Sequence, residues 1–167
     1  LDAEHLLAHA LGTERLQLYL EFDRPLEPRE LEAFKPLLRR RARREPLQYI
    51  LGRTAFRELE ILTDPRALIP RPETEVLVQT VLAWAEGCSG LHAVDVGTGT
   101  GCVALSLLEE GPFDRVWATD VSPDALGLAS ENARSCGLDD RITWVLGDGL
   151  SALSSEVRMD VIVSNPP

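Results

Sequence analysis

The chain has 167 residues, 44% of them hydrophobic and 26% charged, with a formal net charge of −10. That balance describes an ordinary globular protein of one domain, or one domain with a small appendage, and it lacks the run of roughly 20 apolar residues that a membrane helix needs. The charge is uneven: residues 1–70 hold 12 basic and 12 acidic residues, whereas residues 71–167 hold 5 and 15. A strongly acidic second part is ill suited to gripping a phosphate backbone, because nucleic-acid affinity rests on cationic contacts.

The first 52 residues predict a small helical domain. "DAEHLLAHALG" sets Leu6, Leu7, Ala10 and Leu11 along one face, with acids in its first turn and Gly12 as its stop. "EPRELEAFKPLLRRRARREP" sets Leu31, Phe34, Leu38 and Ala42 along another, and Pro36 is expected to kink or divide that helix. Its basic block, residues 39–44, reads either as a solvated helix face or as a docking surface for an anionic partner. "PLQYILG" adds one short helical turn.

Residues 53–70 predict a β-hairpin linker: "TAFRELEILT", a turn at Asp64-Pro65, then "LIP". A third domain-sized segment, residues 71–167, follows. "RPETEVLVQTVLAWAEG" restarts as helix, with Pro72 in the first turn, Glu73 and Glu75 near its positive end and Gly87 as its stop. Strands and helices then alternate: "HAVDVG", a helix from Gly101, "RVWATDV", a helix capped by Ser122 and closed by Gly137, "RITWVLGD" and "DVIVSN". Alternation of this kind predicts βαβ units and an α/β fold with a parallel sheet buried on both faces.

In such sheets ligands bind beyond the carboxyl ends of the strands. The first strand ends in "DVGTGTG", where Gly97, Gly99 and Gly101 allow a tight turn and close backbone approach, and its G-x-G-x-G spacing departs from the dinucleotide fingerprint. The second ends at Asp120, a carboxylate able to accept from both hydroxyls of a ribose, or a surface cap. The third ends in "LGDGL", where Asp148 beside Gly149 suits an adenine amine and suits a plain turn equally. The fourth ends in "SNPP". Asn165 offers an acceptor and two donors, and Pro166 leaves carbonyls free, so the pair forms a clamp for a planar –NH₂ group or a simple strand stop.

Cys88, Cys102 and Cys136 form no metal or disulfide spacing and read as thiols in a reducing compartment. His5 and His9 stand four apart without a third ligand, so no metal site is expected.

In this order and on these strands, "DVGTGTG", "TDVS", "GDGL" and "SNPP" resemble the class I S-adenosylmethionine-dependent methyltransferases. With "LIPRPETE" and "GRTAFRELEI" the chain is more narrowly similar to the release-factor glutamine methyltransferases. The resemblance implies a Rossmann-like class I methyltransferase sheet, cut short after its fourth strand, behind a helical N-terminal domain (1–52) that helps dock the substrate protein. It implies that residues 71–167 bind S-adenosylmethionine through Gly97, Thr98, Gly99, Thr100, Gly101, Asp120, Asp148, Gly149 and Asn165. Asn165 and Pro166 would hold the reacting amide, with Pro167 and Phe56 completing the substrate side. The implied reaction methylates the glutamine of the Gly-Gly-Gln motif in peptide-chain release factors, in the cytoplasm, without direct nucleic-acid or membrane partners. A ribosomal-protein glutamine and a DNA adenine N6 are the alternatives. The family's aromatic residue after Pro-Pro is absent and three further strands would be needed, so the 167 residues are expected to be an inactive fragment.

Overall fold

The computed structural model describes residues 1–165 and divides them into two compact units, Leu1–Gly52 and a second that begins at Arg53.

The first unit consists of α1 (Asp2–Leu11), α2 (Arg15–Leu20), α3 (Pro28–Ala42) and α4 (Leu47–Leu51), with α1 packed on α3. Leu6 and Ala8 are its buried α1 residues, and Gly12 closes that helix in the left-handed conformation. At the start of α3, Glu27 and Glu30 form a reciprocal capping box. Two expectations are corrected in α3. Pro36 does not divide the helix, which continues to Ala42; the proline lies exposed, so the one ladder bond it removes is lost on the solvent side. Its inward stripe continues from Leu31 and Phe34 to Leu37, while Leu38 is 41% exposed and Ala42 is exposed. The basic block is partly neutralised within the unit: Arg41 donates to Asp2 at 2.7 Å and Arg40 to Glu45 at 2.8 Å.

The second unit opens with an antiparallel hairpin, β1 (Arg53–Phe56) and β2 (Leu59–Leu62). Its turn is at Arg57-Glu58 rather than at Asp64-Pro65. Arg57 itself takes the positive φ, 51°, that a tight hairpin turn demands. Side-chain bonds hold it there: Arg57 donates to both oxygens of Glu110 at 2.6–3.1 Å and to Gln79 at 3.1 Å. Asp64-Pro65 does form a turn, with the Ala67 N–H donating to the Asp64 carbonyl at 3.3 Å, but it opens the loop that leads to the next helix.

Helix α5 (Pro72–Trp84) follows, then β3 (Leu91–Val96), α6 (Cys102–Glu110), β4 (Phe113–Asp120), α7 (Pro123–Cys136), β5 (Ile142–Leu146) and β6 (Val161–Ser164). The four strands β3–β6 are all parallel and lie in the order β5-β4-β3-β6. Helix α6 is buried from Cys102 to Leu108, as its nearly continuous apolar sequence requires. Ser122 caps α7 by accepting from the Ala125 N–H at 3.2 Å. On β6, Val163 is 2% exposed and Ile162 is 57% exposed, because alternate residues of a strand face opposite sides of the sheet. Among the described residues no helix is long and apolar enough to cross a membrane.

Candidate functional site

The chain builds β3, β4 and β5 outward in one direction and then crosses back to lay β6 on the other side of β3. That reversal is a topological switch point, where the loops beyond two adjacent strands diverge and leave a crevice. The glycine loop leaves β3 there, and Asn165 leaves β6.

The loop's own hydrogen bonds fix its path. The Gly97 and Thr98 N–H groups both donate to the Thr119 carbonyl at 2.9 Å, tying the loop to β4. The Thr98 hydroxyl donates to Asp95 at 2.7 Å, and the Gly99 N–H donates to Asp120 at 2.9 Å. At Gly101, φ is +82° and a Cβ would meet the Ala129 Cβ at 3.1 Å, so glycine alone lets α6 start this close to α7. Asn132 on α7, fully buried, staples the assembly. Its amide accepts from the Leu62 N–H at 2.7 Å and donates to the carbonyls of Leu62 and Thr100 at 3.2 and 2.9 Å.

A cleft of about 400 Å³ opens beside this loop, lined by Gly97, Gly99, Asp120, Asp148, Gly149 and Asn165 among others. A narrower recess of about 60 Å³ adjoins it; Leu68, Gly97, Gly99 and Asn165 are common to both, and Thr74, Asp95, Thr98 and Thr100 line the recess. One Asp120 oxygen accepts from Gly99 and the other from the Ser122 N–H at 2.9 Å, which aims the carboxylate while leaving lone pairs on both. Asp148 is exposed and starts a short 3₁₀ turn, Gly149–Ala152. Across the cleft, Arg66 bridges Asp64 and Glu131 with bonds of 2.7–3.0 Å, securing the loop before α5 to α7.

Burial shapes the ionisation. The Asp95 carboxyl, 2% exposed, is pushed up to about 6 by desolvation; the Thr98 hydroxyl and the Ala104 backbone pull it down, and the charge of Asp120 raises it further. The Cys102 thiol is pushed up to about 12 by burial and stays protonated.

Of the residues named from sequence, Gly97, Thr98, Gly99, Thr100, Asp120, Asp148, Gly149 and Asn165 line the cleft or its recess. Gly101 lies beneath them as the cap of α6. Phe56 does not reach the site: it is 1% exposed in the core with Leu59, Ile61 and Val78, so it has no surface to offer a substrate. Pro166 and Pro167 lie outside the described residues. Sequence reasoning missed Thr74, whose hydroxyl accepts from the Asn165 Nδ2 at 2.6 Å, and also Asn132 and Arg66. Pro72, Glu73 and Glu75 mark the start of α5 in the sequence, whereas no local pattern marks Thr74.

Comparison with known proteins adds to this geometry. Residues 1–52 match the family model described as the PrmC N-terminal domain, and residues 72–167 match the methyltransferase small domain. A release factor glutamine methyltransferase of Chlorobaculum tepidum is 45% identical over 100% of this chain and 60% of its own length. One from Geobacter sulfurreducens is 44% identical over 100% of this chain and 57% of its length. The chain therefore spans somewhat under two thirds of these curated relatives. Among solved structures, the precorrin 8W decarboxylase of Methanobacterium thermoautotrophicum is 31% identical, with a TM-score of 0.53 over 62% of this chain and 54% of its own.

Proposed function

The chain belongs to the methyltransferase small domain family, and from that premise we propose that the whole protein transfers a methyl group from S-adenosylmethionine to the side-chain amide nitrogen of a glutamine in peptide-chain release factors. The substrate is inferred from the names of relatives that align with the entire chain. The observation that carries the reaction type is the meeting of the glycine loop, Asp120 and Asn165 in one cleft at the switch point.

The cleft fits the donor. Asp120 keeps acceptor capacity on both oxygens for a pair of ribose hydroxyls, and Asp148 with Gly149 presents an acceptor beside open space for a purine. Leu68, Val96 and Ala125 supply apolar wall. When bound, S-adenosylmethionine supplies a methyl group already attached to cationic sulfur, so no acid is needed for the leaving group.

What the chain must supply is alignment and charge stabilisation. An amide nitrogen is a weak nucleophile because its lone pair is shared with its carbonyl. Asn165 lines the cleft, and we assign its carbonyl oxygen to accept from the substrate N–H, aiming the nitrogen at the methyl and stabilising positive charge as it develops. The same carbonyl chemistry extends to the backbone of Pro166, which we assign to the second N–H. The reaction belongs to the cytoplasm, where translation ends.

Radiolabelled donor, the whole protein and a release factor test this directly, alongside a release factor whose Gly-Gly-Gln glutamine is changed to alanine. Label on the first substrate and none on the second is expected. A release factor that takes no label overturns the reading.

A further inference from the structure

Resting on the reading of the cleft as the donor site, we propose that Asn132 and Glu131, successive residues of α7, are positioning residues for S-adenosylmethionine that fix the gap between two walls of that cleft. One wall is the glycine loop. The other is the segment before α5, from which Arg66, Ala67 and Leu68 line the cleft and Leu68 to Arg71 line the recess. Neither Asn132 nor Glu131 is among the lining residues of either space.

Asn132 holds both walls with one side chain. It is 0% exposed, and each of its bonds runs to the backbone. Those partners leave its amide a single orientation. A backbone N–H only donates, so the Leu62 N–H at 2.7 Å takes the amide oxygen. Carbonyls only accept, so those of Leu62 and Thr100, at 3.2 and 2.9 Å, take the nitrogen. Leu62 ends the hairpin four residues before Arg66. On the other wall, the Thr100–Gly101 peptide is pinned twice, its carbonyl to Asn132 and its N–H to the Thr98 carbonyl at 2.9 Å. Thr100 is 2% exposed, so without Asn132 a buried carbonyl loses its partner, which favours turning that peptide out of its present plane. Glu131 fastens the second wall again at Arg66, its two oxygens each accepting from that guanidinium at 2.8 Å.

Calorimetric titration of the whole protein with S-adenosylmethionine tests this. Asn132→Ala removes every bond, and Asn132→Asp keeps the acceptor for Leu62 while setting oxygen against the Thr100 carbonyl. Both are expected to weaken donor binding by about 10-fold or more. In release-factor methylation the loss should appear in the donor KM, with kcat at saturating donor within about 3-fold of the parent's. Phe113→Leu, in the core at the opposite end of β4 from Asp120, lowers stability without touching either wall and should leave donor affinity within about 2-fold.

Glu131→Ala folds whatever the fate of the Asn132 variants, because its side chain is 43% exposed, and it should weaken donor binding by about 3-fold. Donor affinity unchanged in Glu131→Ala or in a folded Asn132 variant, or an equal loss in Phe113→Leu, would each overturn the proposal. A parent protein that does not bind the donor would overturn the reading of the cleft instead.

Discussion

Asp95 is held in the folded state with its carboxyl raised to about 6 against an ordinary 3.8, chiefly by burial. The folded chain therefore binds a proton more tightly than the unfolded one between those values, and folding is favoured at the acidic side of that window. Stability from this group is full below about pH 4 and is lost as pH rises through about 6, by roughly 3 kcal/mol in all at about 1.4 kcal/mol per unit. Asp95→Asn removes the titration. Urea unfolding from pH 4 to 7 should thus find the variant gaining on the parent as pH rises, and a pH-independent difference would exclude the effect. Asp120 and Asn165 were legible as cleft residues because a parallel sheet delivers whatever ends its strands to one edge. Thr74 and Asn132 were not, because their partners lie 91 and 70 residues away, and no local pattern encodes a contact at that separation.

Among the elements, the β1–β2 hairpin was foreseen as a hairpin but with its turn misplaced. Asp64-Pro65 carries the usual turn chemistry, whereas Arg57-Glu58 carries none. Arg57 is accommodated at φ 51° by tertiary bonds: the ion pair with Glu110, each side chain 15% exposed, joins the turn to α6. Arg57→Ala should destabilise the chain by about 2–3 kcal/mol, since it leaves Glu110 without its partner in a largely desolvated place. Arg57→Gly should be about 1 kcal/mol less damaging, because glycine relieves the left-handed backbone. Denaturant melts of both variants measure the difference, and equal losses would mean the backbone is unstrained. The alternation of strands and helices after residue 90 was readable in full, since period and capping signals agree there; Pro36 misled because one missing bond on an exposed face is tolerated inside a long helix.

At the scale of the molecule, every cleft residue lies in the second unit. Removing residues 1–52 from the whole protein should therefore leave donor affinity within about 3-fold, measured by calorimetry, while kcat/KM for the release factor falls by about 10-fold or more if those helices dock it. A matching loss of donor affinity would mean that the first unit supports the cleft itself.

The strand order also sets a schedule. As the chain leaves the ribosome, β3, β4 and β5 emerge in sequence, and β4 and β5 each find their neighbour already present. Asn165 comes after them, on a strand that must travel back past β4 and β5 to reach β3, a closure over some 65 residues. A nascent chain can thus hold its glycine loop and Asp120 in place before Asn165 joins them. Among the described residues that line the cleft, Asn165 is the last to be made.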